Sequence, residues 1–266
     1  MLGAIIGDII GSTYEHHNRK SKDINLFTKW SRVTDDSVMT IAVAEAFLRA
    51  KSDGSLEDEK AVKELLIDAL HKWGNAYPHA GYGGTFRQWL KLGIRDPYNS
   101  WGNGSAMRVS PAGWIGTDMD EVRRLARWSA EVTHNHPEGV KGAEAIAAAI
   151  YLARTGSSKA EIKSYIESEF NYDLDRSCDE IRPFYTFDVS CQGSVPEAII
   201  SFLEGEGFED VIRNAVSLGG DSDTIAAMAG SIAEAYFGIP EWMQEKAFEY
   251  MDEEMIELWE SFKGMR

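Results

Sequence analysis

Residues 219–235, Gly-Gly-Asp-Ser-Asp-Thr-Ile-Ala-Ala-Met-Ala-Gly-Ser-Ile-Ala-Glu-Ala, join the two features on which the chain is built. The first six residues set two carboxylates and a hydroxyl behind a pair of glycines. The rest is an apolar run at helical spacing, with Gly230 inside it. A helix that is apolar on most faces belongs in the middle of a helical domain, ringed by others. A second segment of this kind, 143–152, holds five alanines and three large aliphatic residues. Such small residues let neighbouring backbones approach closely, which in turn fixes where the helix ends lie.

Moving outward, Met39, Ala42, Val43, Ala46, Phe47 and Ala50 recur at helical spacing over 37–50, as do Val62, Leu65, Leu66, Ala69 and Leu70 over 56–73. The same periodicity predicts helices over 120–132, 139–154, 159–170, 195–204, 208–217 and 222–237, and a last one over 240–262 with an acidic, solvated face. Gly3, Gly7 and Gly11 repeat every four residues, which predicts one helix face packed tightly on a neighbour. Strand alternation is nearly absent, so the expected fold is all-α, with residues 1–266 forming one domain. Three connections, 77–84, 94–116 and 171–193, are long and rich in Gly, Pro, Asn, Asp and aromatics, as functional loops often are. The last leaves room for a short strand or a small subdomain.

The 266 residues carry 27 Lys and Arg against 43 Asp and Glu, a formal charge of −16. That field repels nucleic acid and anionic membrane surfaces, and no apolar run approaches a membrane span of roughly 20 residues. The first twelve residues are apolar but contain Asp8 and no basic lead-in, which argues against a secretion signal. Cys178 and Cys191 are expected as buried, reduced thiols in a cytoplasmic protein.

A second acidic cluster, Thr34-Asp35-Asp36, opens the helix predicted over 37–50. Alone it reads as an ordinary cap, since Thr and Asp favour helix N-termini. Asp221, Asp223 and Thr224 are harder to explain that way, because crowded carboxylates repel one another without a cation. Brought together, the two clusters offer the hard oxygen donors that Mg²⁺, Mn²⁺ or Ca²⁺ prefer. Helix packing accounts for the glycines of the first segment but leaves Asp8 and Glu15 unexplained. The glycine loops at 81–85 and 101–105 can present backbone N–H groups to phosphate oxygens or serve as plain turns. His134 and His136 lack the companion ligands of a zinc site, so one is expected on substrate and the other in a structural role. Arg108 is a candidate for local positive charge or for a structural ion pair.

Taken in order, Gly3-Ala-Ile-Ile-Gly-Asp, Thr34-Asp35-Asp36, Gly81-Tyr82-Gly83, Gly102-Asn103-Gly104-Ser105-Ala106-Met107-Arg108, Thr133-His134, Ser194-Val195-Pro196-Glu197-Ala198 and Gly219-Gly220-Asp221-Ser222-Asp223-Thr224 resemble the ADP-ribosylglycohydrolase family nearly end to end. The resemblance implies an all-α multi-helix orthogonal bundle. It also implies two Mg²⁺ or Mn²⁺ ions at the base of a cleft, and hydrolysis of the bond between the distal ribose of ADP-ribose and an acceptor, either a protein side chain or a small derivative. On the family pattern Thr34, Asp35, Asp36, Asp221, Asp223 and Thr224 are metal ligands and Glu15 stands beside the metals; Glu15, Asp35 and Asp36 are then the catalytic residues, with Glu15 as general base or acid or as a group that shifts to let the substrate in. Gly83, Ser100, Asn103 and His134 fall where members contact diphosphate and adenosine, and Trp101 where an aromatic stacks on adenine. Two other readings compete: an ADP-ribose binder or crystallin-like structural protein of the same fold, and an aspartyl phosphatase. The phosphatase reading needs a strand just before Asp221 within an alternating α/β pattern.

Overall fold

The computed structural model describes residues 1–265, and among them fifteen helices occur with a single isolated antiparallel bridge, Gly102 to Ser190. In chain order these are α1 (Leu2–Gly11), α2 (Asp35–Ser52), α3 (Glu59–Ala76), α4 (Gly84–Lys91), α5 (Gly104–Met107), α6 (Ser110–Ile115), α7 (Met119–Glu131) and α8 (Pro137–Arg154). There follow α9 (Lys159–Phe170), α10 (Cys178–Ile181), α11 (Cys191–Glu204), α12 (Phe208–Leu218), α13 (Ser222–Phe237), α14 (Glu241–Phe248) and α15 (Glu253–Lys263). The all-α bundle expected from the periodicity is what forms.

At its centre lies α13, packed against α1, α12, α11 and α8. Residues 222–233 of α13 are all buried, as are all ten residues of α1. The glycine stripe explains how two such helices meet. A methyl group on Gly3 would stand 2.3 Å from the carbonyl oxygen of Gly230, and one on Gly7 would stand 2.1 Å from that of Ala226. No side chain fits between these backbones, so the register of α1 on α13 is fixed by backbone contact.

Four segments depart from the sequence reading, one of them α4, a helix that was not expected. Residues 240–262 form two helices, because the Asp252 carboxylate accepts from Met255 N at 3.0 Å and starts a new helix after a break at Tyr250 and Met251. The apolar stripe survives the break, since Met251, Met255 and Phe262 are all buried. Two of the long connections hold short helices: α5 and α6 within 94–116, and α10 within 171–193. Each is six residues or fewer, too short for periodicity to show. Among the described residues no helix is long and apolar enough to cross a membrane. Both cysteines are free and buried. Residues 208–218, just ahead of Gly219, are helical, which removes the strand that a phosphatase site would need.

Candidate functional site

The N-termini of α2 and α13 converge over the end of α1. Asp8, the one charge within α1, turns its carboxylate toward α2. It accepts from Thr34 N at 2.9 Å, Thr34 Oγ1 at 2.5 Å and Ser37 N at 3.1 Å, and from the Ser37 hydroxyl as well. Those are the orphan amides of the first turn of α2, so Asp8 caps this helix from outside. Thr34 itself makes no side-chain cap. The capping duty that the sequence assigned to the Thr34-Asp35-Asp36 cluster therefore falls on Asp8, and the carboxylates of Asp35 and Asp36 are left for something else.

On the other side, Gly219 and Gly220 take φ of +72° and +69°, a region closed to most side chains, and turn the chain sharply from α12 into α13. The turn delivers Asp221, Asp223 and Thr224 opposite Asp36. Thr224 Oγ1 donates to Asp36 Oδ2 at 3.1 Å, across a sequence separation of 188 residues. Carboxylate oxygens of Asp8, Asp36 and Asp223 lie within 4.8 Å of one another, and so do those of Glu15, Asp221 and Asp223. Two triads thus share Asp223.

Electrostatics set this floor apart. Burial, with help from the neighbouring carboxylates, pushes Asp35 up to about 7. Burial takes Asp221 to about 6, against the pull of its hydrogen bonds to Asn103 and its neighbours. Asp8, Asp36 and Asp223 are raised for the same first reason, loss of water around the charged form. Asp36 Oδ1 is buried without any hydrogen-bond partner. Buried acceptors are seldom left this way, and a bound cation is a standard explanation. An all-oxygen donor set with an orphaned buried atom suits hard divalent cations.

Above the floor opens a cavity of about 440 Å³. Glu15, Asp35, Asp36, Asp221, Asp223 and Thr224 line it together with Gly83, Ser100, Asn103 and His134. Thr34 sits just beneath, with its hydroxyl on Asp8. Asn103 spans cavity and floor, its Nδ2 donating to Asp221 Oδ2 at 2.7 Å. It is held there because its own N–H donates to Val189 O at 2.8 Å and Cys191 N donates to Trp101 O at 3.0 Å, which knits the two loops together. Trp101 is the exception among the expected contacts. Its ring is exposed, rests edge-on against His136 at 5.6 Å and does not line the cavity. His136 for its part caps α8, accepting from Glu138 N at 3.1 Å.

The sequence reading missed several of these residues. Asp8 was visible only as an unexplained charge in an apolar helix. Phe187 and Val189 form an apolar wall from within a segment that has no periodicity, and each is 53% exposed. Nothing in the local sequence signals that wall. Arg108 lines the cavity as a buried guanidinium and has no carboxylate partner among the described residues, so it is not a structural ion pair.

Fold and site define a helical protein with a carboxylate-floored cleft large enough for a nucleotide-sized ligand. The sequence profile of the ADP-ribosylglycohydrolase family matches residues 1–264, and the chain belongs to that family. It is 29% identical to the ADP-ribosylhydrolase ARH3 of Mus musculus, over 95% of this chain and 88% of the mouse protein. That alignment runs over 336 positions, more than this chain has residues, so the mouse protein carries segments without counterpart here. The ADP-ribosylarginine hydrolase Tri1 of Pseudomonas putida is 27% identical, over 93% of this chain and 73% of that protein. A solved structure, an ADP-ribosylglycohydrolase-related protein complex, superimposes with a TM-score of 0.71 at 24% identity, covering 99% of this chain and 95% of the other. It shows the same fold.

Proposed function

We propose that this protein, acting as one domain, hydrolyses the glycosidic bond between the distal ribose of ADP-ribose and an acceptor, a protein side chain or a small ADP-ribose derivative. Two divalent cations, Mg²⁺ or Mn²⁺, would be held by Thr34, Asp35, Asp36, Asp221, Asp223 and Thr224. The observation that carries this reading is the pair of carboxylate triads sharing Asp223 at the base of the cavity. Family membership and the names of the mouse and Pseudomonas relatives support the substrate class. When bound, such ions supply the charge that lets these acids ionise together, and they acidify water so that it attacks at neutral pH.

The remaining work belongs to the chain. Ser100, Asn103, His134 and the backbone at Gly83 would seat the nucleotide and fix the anomeric carbon above the floor. Asp35 and Asp36 would orient the attacking water. Glu15 is partly exposed, on a segment just past α1, with His16 Nε2 at 3.6 Å. It would take a proton from water as the water oxygen bonds to C1″ and the bond from C1″ to the acceptor breaks with its electron pair on the acceptor, through the oxocarbenium-like state usual in glycosyl hydrolysis, and would then return that proton to the departing acceptor. Trp101 is exposed next to the cavity and would need to swing inward to stack on adenine. A cytoplasmic setting suits the two unpaired thiols, Cys178 and Cys191.

The test is a panel of mono-ADP-ribosylated acceptors incubated with Mg²⁺ or Mn²⁺ and scored for free ADP-ribose. Cation-dependent release is expected. Full turnover after exhaustive chelation would refute the metal assignment. Binding of ADP-ribose with no release from any acceptor would favour a non-catalytic binder.

A further inference from the structure

Arg108 is 1% exposed and lines the cavity. Its Nη2 donates to Ser129 O at 2.8 Å and to Thr133 Oγ1 at 2.7 Å, while its buried Nε has no partner. Thr133 Oγ1 also lies 2.7 Å from His134 Nδ1. A guanidinium only donates, so the threonine oxygen accepts from Arg108. The one hydroxyl proton then goes to Nδ1, for among the described residues no other acceptor is hydrogen-bonded to it. With Nδ1 accepting that proton every donor of the group is satisfied, and this arrangement puts the ring proton on Nε2. Nε2 faces the Gly102–Gly104 loop along the cavity wall: a methyl group placed on Gly104 would come within 3.0 Å of it.

We propose that Arg108 and Thr133 are positioning residues: they hold His134 as an Nε2–H donor on the cavity wall, presented to the ligand's anionic group, which the family resemblance already sets beside this histidine. This rests on the ADP-ribose reading above, in which that group is the diphosphate. The arrangement answers a difficulty of charge. The net charge of −16 disfavours a diphosphate, and besides any cations on the floor a positive charge held out of water is a local source of attraction for it. Burial, reinforced by Arg108, also holds the His134 pKa well below the usual histidine range, so the ring stays a neutral donor. Tyr98, whose ring centroid is 5.7 Å from that of His134, packs beside the imidazole.

Two variants and two readouts test the chain of bonds. Thr133→Val removes the hydroxyl and keeps the shape, while Thr133→Ser restores the hydroxyl. Long-range proton–nitrogen correlation on the ligand-free protein reads the His134 tautomer. Calorimetry compares ADP-ribose with adenosine, which lacks the diphosphate. The wild type and Thr133→Ser are expected to show the Nε2–H tautomer. Thr133→Val is expected to lose that bias and to bind ADP-ribose about tenfold more weakly, with adenosine unchanged and KM rising rather than kcat falling. An Nδ1–H tautomer in the wild type overturns the proposal, even if Thr133→Val does not fold. Equal losses for ADP-ribose and adenosine overturn the anion seat. A wild type that shows Nε2–H yet ignores ADP-ribose supports the bond chain and overturns the hydrolase reading on which the seat depends.

Discussion

At the floor of the cleft, Asp8, Asp35, Asp36, Asp221 and Asp223 lie in or at the ends of helices that pack backbone to backbone, whereas much of the mouth is lined from the connecting segments around Gly81–Gly83, Tyr98–Asn103 and Phe187–Val189 and from the first turn of α4. The two regions also differ in sign. The floor gathers acids that burial holds above their normal pKa, and the wall carries a buried guanidinium with a neutral histidine. The difference teaches that the chemistry is set by the fold, while the choice of ligand is left to loops that can vary without disturbing it. If so, changes at the floor should remove function, and changes at the mouth should only retune it.

The largest effect is expected for Asp223→Ala, since both triads share this residue. Loss of groups that merely support a metal ligand typically costs 10- to 100-fold, so removal of the shared carboxylate should cost about 100-fold or more in turnover. It should also abolish divalent-cation binding by titration calorimetry while leaving the far-UV helical signal largely intact. Unfolding instead would show that Asp223 chiefly supports the N-terminus of α13.

Much of the floor could be read in the sequence because an acidic triplet and an Asp-Ser-Asp run interrupt otherwise apolar helical patterns. Their convergence could not be derived from periodicity alone. It depends on the angle at which α1 crosses α13, set by the contacts at Gly3 and Gly7, and on Asp8 reaching the first turn of α2. The mouth was far less legible. Trp101, expected over adenine, instead rests on His136, while Phe187 and Val189, unremarked in an aperiodic stretch, form part of the wall. Loop positions follow from tertiary bonds such as Asn103 N to Val189 O, which have no local signature. The break at Tyr250 and Met251 was hidden for a related reason: a buried apolar stripe continues through it.

The next effect in size concerns pH. Each floor aspartate ionises near pH 3.9 in an unfolded chain, but at about 6 for Asp221 and about 7 for Asp35 in the folded one, with Asp8, Asp36 and Asp223 also raised. The native state therefore binds more protons across this window, and stability falls as pH rises. This contribution is complete below the unfolded pKa and is lost as pH climbs through the folded values. In chelator, the melting temperature should drop by several degrees between about pH 5 and pH 8, and added Mg²⁺ or Mn²⁺ should flatten the profile. A flat profile in chelator would mean that the floor carboxylates ionise without needing a cation, and the contrast with the mouth would lose its electrostatic basis.

Two glycines sharpen the comparison at its smallest scale. A methyl group on Gly11 would lie 2.4 Å from Asp223 Cα and 2.7 Å from both Asp223 N and Ser222 O. All three are backbone atoms, so no rotamer change relieves the clash, and the end of α13 must shift with its carboxylate. Gly11→Ala should cost about 1–3 kcal/mol in denaturant unfolding, as overpacking does elsewhere, and weaken cation affinity at the same time. Gly83, by contrast, lines the mouth with φ of −55°, and a methyl group there would have nothing within 4 Å. Gly83→Ala should leave stability within about 0.5 kcal/mol and cation affinity unchanged, with any consequence confined to KM. If Gly11→Ala proved as silent toward cations as Gly83→Ala, close packing of α1 against α13 would not be what holds Asp223 in place, and floor and mouth would be equally tolerant.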